Sequence, residues 1–522
     1  MSVSVNELLK TVAEPEPGLP ALLARLDTPC FIVNTPRGIR ATAVPAPEDN
    51  TLAAVGPLSA ATLGSRAFQT THGVRLSYMA GAMAGGIASE DLVVAMSRAG
   101  LLASFGAAGL LTERVERALQ HFARTIPGKP FACNLIHSPH ELGLERSTID
   151  LCLRYRVRCV EASAFMDLTP SIVRYRVAGL RRGTSGEVVA DNRVIAKVSR
   201  TEVAAHFLAP PPPAIVRDLL TEGTITAEQA GLAAHVTMAS DITAEADSGG
   251  HTDRRPLTVL LPTIITLRDK AALGHPAASA VRIGAAGGIG TPTAAWAAFA
   301  SGADYVVTGS INQSCVESGT SDAVRTMLAA AEPTDCDMAP AADMFELGVE
   351  LQVLKRGTLF PSRAKKLYSL YRTYDSLESI PDRERLRLET QVFGQPVGVV
   401  WDECVQYFSR RDPDQLTRAG DDPKRRMALV FRWYLGMASR WATIGDPDRS
   451  GDYQIWCGPA MGAFNQWVHG TLLESHRHRA VVGIAQEIMH GAAVAARASV
   501  LQAAGVTLPA GVGYRPGSAQ LS

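Results

Sequence analysis

The run Val281-Arg282-Ile283-Gly284-Ala285-Ala286-Gly287-Gly288-Ile289-Gly290, followed about twenty residues on by Tyr305-Val306-Val307-Thr308-Gly309-Ser310, has the makings of an anion cradle. A β-branched stretch runs into consecutive glycines, a helical pattern spans Pro292 to Ala300, and a second stretch ends in Gly-Ser. Two adjacent parallel strands then turn bare backbone N–H groups and a helix N-terminus toward one phosphate. The cradle residues are Gly287, Gly288, Thr308, Gly309 and Ser310. No Gly-Lys-Ser/Thr follows the glycines and the Gly-x-Gly-x-x-Gly order is absent, so neither common nucleotide motif fits. The other reading of these glycines is plain tight turns between strand and helix.

Further groups fall at expected strand ends. Met79-Ala80-Gly81-Ala82-Met83-Ala84-Gly85-Gly86 is small enough for a planar ring such as an isoalloxazine to lie on the backbone of Gly81, Ala82 and Met83. Asn134 offers an amide that can donate and accept to a pyrimidine edge, or can satisfy a buried turn. Lys197 places a cation where a reduced flavin gathers negative charge near N1 and O2, or else makes a structural salt bridge. In Asp241-Ile242-Thr243-Ala244-Glu245-Ala246-Asp247-Ser248-Gly249-Gly250-His251-Thr252-Asp253, an acidic strand breaks at Gly249-Gly250 and delivers a histidine. His251 can serve as an acid–base group whose tautomer Asp247 or Asp253 fixes, with Gly249 and Gly250 on the cofactor side.

Elements must hold these residues together. From Leu76 to Ser310 the pattern alternates short β-rich runs with amphipathic helices, the mark of repeated βα units. Candidate strands are Leu76 to Met79, Leu101 to Phe105, Phe131 to Leu135, Cys159 to Ala162, Val194 to Val198, Val236 to Thr243, Val281 to Gly284 and Tyr305 to Thr308. These predict an α/β fold, a (β/α)8 TIM barrel over residues 75–310, with the site at the C-terminal strand ends. Residues 1–74 read as an N-terminal capping subdomain with a short strand from Cys30 to Val33, and residues 311–395 as consecutive helices forming a substrate lid. In that lid Phe345 is expected to line a substrate tunnel, and residues 396–522 form a helical C-terminal extension.

The 522 residues exceed one typical domain. Lys plus Arg and Asp plus Glu are 51 each, which gives no electrostatic case for nucleic acid or an anionic membrane. The start lacks the layout of a signal peptide and no uncharged run of about 18 apolar residues occurs, so a cytoplasmic enzyme is expected. Eight scattered cysteines without a Cys-x-x-Cys pair argue against a zinc site or a disulfide scaffold, and no metal is expected.

The order Gly-Ala-Met-Ala-Gly-Gly, Val-Glu-Ala-Ser-Ala, Lys-Val-Ser-Arg, Glu-Ala-Asp-Ser-Gly-Gly-His-Thr-Asp, Gly-Ala-Ala-Gly-Gly-Ile-Gly-Thr-Pro, Thr-Gly-Ser-Ile-Asn-Gln and Ala-Ala-Asp-Met-Phe-Glu-Leu-Gly-Val resembles the PfaD family from about Leu58 to Leu508. Those are trans-acting enoyl reductases of polyketide and polyunsaturated fatty-acid synthases, relatives of nitronate monooxygenases. The resemblance implies an FMN barrel that uses NADPH to reduce an α,β-unsaturated acyl thioester carried on an acyl carrier protein. It implies a flavin-ring contact at Asn134, a phosphate site at Gly287, Gly288, Thr308, Gly309 and Ser310, and an acid–base role for His251. Asp247 and Ser248 are two residues more than the monooxygenases have before their Gly-Gly-His, so Glu245 is only a candidate flavin contact. A homodimer is compatible with this reading. The rival functions are a nitronate monooxygenase-like flavin oxidase and a non-catalytic flavin-binding scaffold of a synthase. An IMP-dehydrogenase-like enzyme lacks its nucleophile here, because no cysteine lies between Cys159 and Cys315. An acyltransferase lacks its Gly-x-Ser-x-Gly elbow.

Overall fold

The computed structural model describes residues 18–47, 50–137, 142–509 and 512–517. Eight parallel strands close a barrel: β1 (Tyr78–Ala80), β2 (Leu102–Phe105), β3 (Ala132–Ile136), β4 (Cys159–Ser163), β5 (Arg193–Val198), β6 (Asp241–Glu245), β7 (Arg282–Ala286) and β8 (Val306–Thr308). Strand β8 pairs back onto β1 through Val306 and Tyr78, which completes the ring. Each of the eight expected strands is present within a few residues. The sixth begins at Asp241 rather than Val236, because the amides of Met238 and Ala239 bond to the carbonyls of Ala209 and Phe207 at the end of helix Thr201–Leu208.

The barrel floor is plugged. A Cβ on Gly284 would lie 2.3 Å from the Tyr305 ring, so glycine is needed there to let that ring fill the interior. Tyr305 stacks on Phe68 at 4.3 Å and its hydroxyl meets Thr243 at 2.7 Å. Below them the fully buried Asp241 accepts two bonds from Arg282, at 2.5 and 2.9 Å, and contacts His72 at 2.9 Å. This leaves the C-terminal strand ends as the open face.

At the N-terminus an antiparallel sheet of Gly38–Thr42, Cys30–Thr35 and Thr51–Val55 packs against the long helix Val481–Ala503. The buried Arg497 of that helix donates to the carbonyls of Leu22, Leu23, Arg25 and Thr28. It thereby satisfies carbonyls left open at the end of helix Leu19–Ala24.

Past the barrel the reading of consecutive helices needs correction. Between helices Asp322–Ala329 and Phe360–Thr373 stands an antiparallel hairpin, β9 (Cys336–Pro340) and β10 (Glu350–Leu354). A two-residue strand, Gly250–His251, pairs with β10 on its other side. The apparent helical spacing of Met344 to Val349 fails because Gly348 takes a left-handed φ of +70° and closes a single 3-10 turn. Phe345 in that turn is buried against Tyr368, Tyr371 and Phe431, so it forms the core of this insertion rather than a tunnel wall. Helices Val397–Arg411, Pro413–Asp421, Pro423–Ile444 and Ala460–Val468 follow. Among the described residues no helix is long and apolar enough to cross a membrane.

Candidate active site

The cradle lies at the ends of the adjacent strands β7 and β8. Gly287 and Gly288 have φ of +85° and +72°, the left-handed region that glycine alone enters freely. A Cβ on Gly287 would strike the Ala246 carbonyl carbon at 2.6 Å, whereas Gly288 and Gly309 face open space. The cradle is therefore close-packed behind and open in front. Its hydroxyls are engaged elsewhere. Thr308 Oγ1 is buried between the Tyr78 hydroxyl at 2.5 Å and the Asn312 amide at 2.9 Å, and Ser310 Oγ accepts the Gly458 N–H at 3.1 Å. What remains for a ligand at these positions is mainly backbone.

On the other side of the mouth, the Gly81 amide bonds to the Thr308 carbonyl at 2.9 Å and so joins the end of β1 to the cradle. The Ala82 amide donates to Glu161 Oε2 at 2.9 Å. Met83, half-buried, fixes the wall through its carbonyl, which accepts the Ala88 amide at 3.1 Å. Asn134, midway along β3, spends its Nδ2 on the Glu161 carbonyl and Ser163 Oγ, both at 3.1 Å. Its Oδ1 has no hydrogen bond among the described residues.

Lys197 and Glu245, at the ends of β5 and β6, pair at 3.0 Å, and Ser248 donates to the same Glu245 oxygen at 3.3 Å. Burial alone would lower the Lys197 pKa, but the charges of Glu245 and Glu161 outweigh it and the ammonium is held above its ordinary value. Glu161 shows the opposite balance. It is fully buried, and desolvation lifts its carboxyl above the usual range despite the opposing charge of Lys197. Its Oε1 has no hydrogen-bond partner among the described residues.

His251 rises at the rim. Gly250, at φ +84°, turns the chain into the short strand on β10, while Gly249 is so close to Cys457 that a Cβ would sit 2.9 Å from that residue's amide nitrogen. Gly249 is thus a packing glycine. The imidazole Nε2 lies 3.2 Å from Asp343 Oδ1. Neither of the acids expected to orient it does so: Asp247 accepts from Gln352 at 2.9 Å, and Asp253 is taken by Arg200 and Ser199. Burial pulls the His251 pKa down, yet the hydrogen bond and charge of Asp343 carry it above the ordinary value.

The structure thus gathers Gly81, Ala82, Met83, Asn134, Lys197, Glu245, Gly287, Gly288, Gly309 and His251 around one barrel mouth, with Gly249, Gly250, Thr308 and Ser310 as its backing. Sequence reasoning missed Glu161, Asp343, Gln352 and the segment 456–460 that packs on the cradle. Glu161 had a signal, an acid inside an otherwise apolar strand. The others come from segments about 90 to 210 residues away from His251, where no local pattern points. All eight cysteines are free, and among the described residues no His/Cys/Asp/Glu group could hold a metal ion.

A closed parallel barrel with a glycine cradle on its seventh and eighth strands defines a class, and the family comparisons agree with it. Residues 71–356 match the nitronate monooxygenase family, and residues 374–453 match the inserted helical domain of [acyl-carrier-protein] S-malonyltransferase. The chain belongs to the nitronate monooxygenase family of barrels, and within it to the PfaD-like enoyl reductase branch. It is 50% identical to a polyunsaturated fatty acid synthase component of Thraustochytrium sp., over 86% of this chain and 30% of that protein. It is 43% identical to polyketide biosynthesis protein PksE of Bacillus subtilis, over 84% of this chain and 57% of that one. The chain therefore spans less than two thirds of these curated relatives. Among solved structures, the enoyl reductase domain of MlnA, from the macrolactin biosynthesis cluster of Bacillus amyloliquefaciens, is similar at 38% identity and a TM-score of 0.81, covering 85% of this chain and 99% of that domain.

Proposed function

We propose that this protein is an FMN-dependent, trans-acting enoyl reductase that uses NADPH to saturate the α,β-double bond of acyl thioesters carried on acyl carrier protein domains of a polyketide or fatty-acid synthase. The observation that carries the reading is the open glycine backbone of Gly288 and Gly309 beside the charged pair Lys197–Glu245, with His251 at the same mouth. The residues present fit the cofactor. Glycine backbone on β7 and β8 would take its phosphate, Gly81 to Met83 would back its ring, and the unpartnered Oδ1 of Asn134 would meet an N–H of its pyrimidine edge. FMN, when bound, supplies the hydride relay between the nicotinamide and the enoyl β-carbon.

The chain's own groups do the rest. Lys197 keeps a positive charge at the mouth where negative charge gathers. His251 supplies the proton as charge develops on the thioester. The insertion over the mouth, hairpin and helices together, forms a lid past which a carrier-bound thioester enters, and it shields the site from water. The test is the absorbance spectrum of the purified protein. Flavin bands bleached by NADPH and restored by a carrier-bound enoyl thioester are expected; a protein without flavin sinks the reading.

The family match over residues 71–356 also favours a nitronate monooxygenase-like oxidase. Turnover of nitronates with oxygen, in the absence of any enoyl-dependent NADPH consumption, would select it.

A further inference from the structure

His251 and Asp343 come from different parts of the molecule. The histidine follows barrel strand β6, whereas Asp343 sits in the turn between β9 and β10 of the inserted hairpin. Two further ties hold the loop and the hairpin together: Gly250 and His251 pair with Gln352 and Leu351, and the Gln352 side chain donates to Asp247 Oδ1 at 2.9 Å and the Ser248 carbonyl at 2.8 Å. Asp343 holds Nε2, and Nδ1 has no hydrogen bond among the described residues. The two side chains are 34% and 35% exposed, so the pair is not sealed off.

We propose that Asp343 is the positioning residue for His251: it grips the imidazole by Nε2, charges the ring, and leaves Nδ1–H as the proton that meets the substrate, so the acid is complete only with the hairpin in place.

This rests on the enoyl reductase reading for the identity of the substrate. The groups facing the ring are Lys197 from β5, which opposes its protonation, and Glu245 from β6 and Asp343 from the hairpin, which favour it. Behind Asp343 stands Arg432, itself paired with Glu346 at 3.2 Å. In the step itself, hydride from reduced nicotinamide, relayed as above, reaches the β-carbon and leaves an enolate electron pair at the α-carbon. That pair takes the proton from Nδ1 as the N–H bond breaks. The neutral ring regains a proton from solvent.

An opposite charge at this range moves a pKa by about 1–3 units. In Asp343→Asn, the His251 imidazole, followed by nitrogen-15 NMR and assigned by its loss in His251→Ala, should titrate at least about one unit lower and change its tautomer. The rate of enoyl-dependent flavin reoxidation should fall about tenfold or more above neutral pH and little in acid, with flavin content unchanged, and Asp343→Glu should restore both readouts. An unshifted His251 titration in Asp343→Asn overturns the proposal whatever the activity. A wild-type protein that never reoxidises with enoyl thioesters overturns the reductase reading instead, and the NMR titration does not depend on it.

Discussion

At the scale of single residues, the site separates groups that face the mouth from groups that hold it. His251 faces it. Replacing His251 by alanine should preserve flavin binding and its reduction by NADPH, and slow the enoyl half-reaction by about 10²–10⁴-fold, the usual worth of a general acid. Stopped-flow reoxidation within about threefold of wild type would leave solvent as the proton source. Gly288 faces the mouth too, with a positive φ and empty space at its Cβ position. Gly288→Val both strains the backbone and fills that space, so flavin should be lost while the far-UV circular dichroism stays native. Full flavin occupancy in that variant would remove Gly288 from the cradle. Most of these residues could be read from the sequence because strand ends and glycine runs are local signals. The histidine's partner could not. Asp343 reaches His251 only through tertiary pairing, and the nearer acids Asp247 and Asp253 are drawn off by Gln352 and Arg200.

At the scale of elements, the barrel strands were legible because each is a short, largely apolar run between helical patterns, β-branched in β5, β7 and β8. The hairpin was not, since its strands carry polar residues and its turn imitates helical spacing. That turn is anchored by Phe345, buried among Tyr368, Tyr371 and Phe431. Removing a buried aromatic ring costs about 3–5 kcal/mol. Phe345→Ala should therefore lower the denaturation midpoint and free the hairpin, with loss of carrier-bound turnover following from that loosening. If thermal stability stays at wild type while turnover alone falls, Phe345 touches substrate after all and the packing argument fails.

At the scale of the whole molecule, the two ends of the barrel have opposite tasks. The mouth holds unspent polar groups, whereas the floor is neutralised. Burial would raise the Asp241 pKa, but His72 and Arg282 win and hold it at about 2 against an ordinary 3.8. A carboxylate depressed on folding stabilises the protein above its unfolded pKa and is lost as pH falls toward the folded one, here between about 4 and 2. The difference corresponds to about 2 kcal/mol. Urea titrations should show wild type losing stability steeply over that window and Asp241→Asn, weaker at neutral pH, losing less; parallel acid limbs would show that the floor pair is not responsible.

The clamp at Arg497 has a mechanical meaning. Its guanidinium ties helix Val481–Ala503, near the end of the described chain, to carbonyls between residues 22 and 28, near its beginning. Tension applied between residue 18 and residue 509 would therefore enter and leave through one patch of surface. Those carbonyl bonds would bear the load first, and the barrel strands would feel none of it until the clamp had given way.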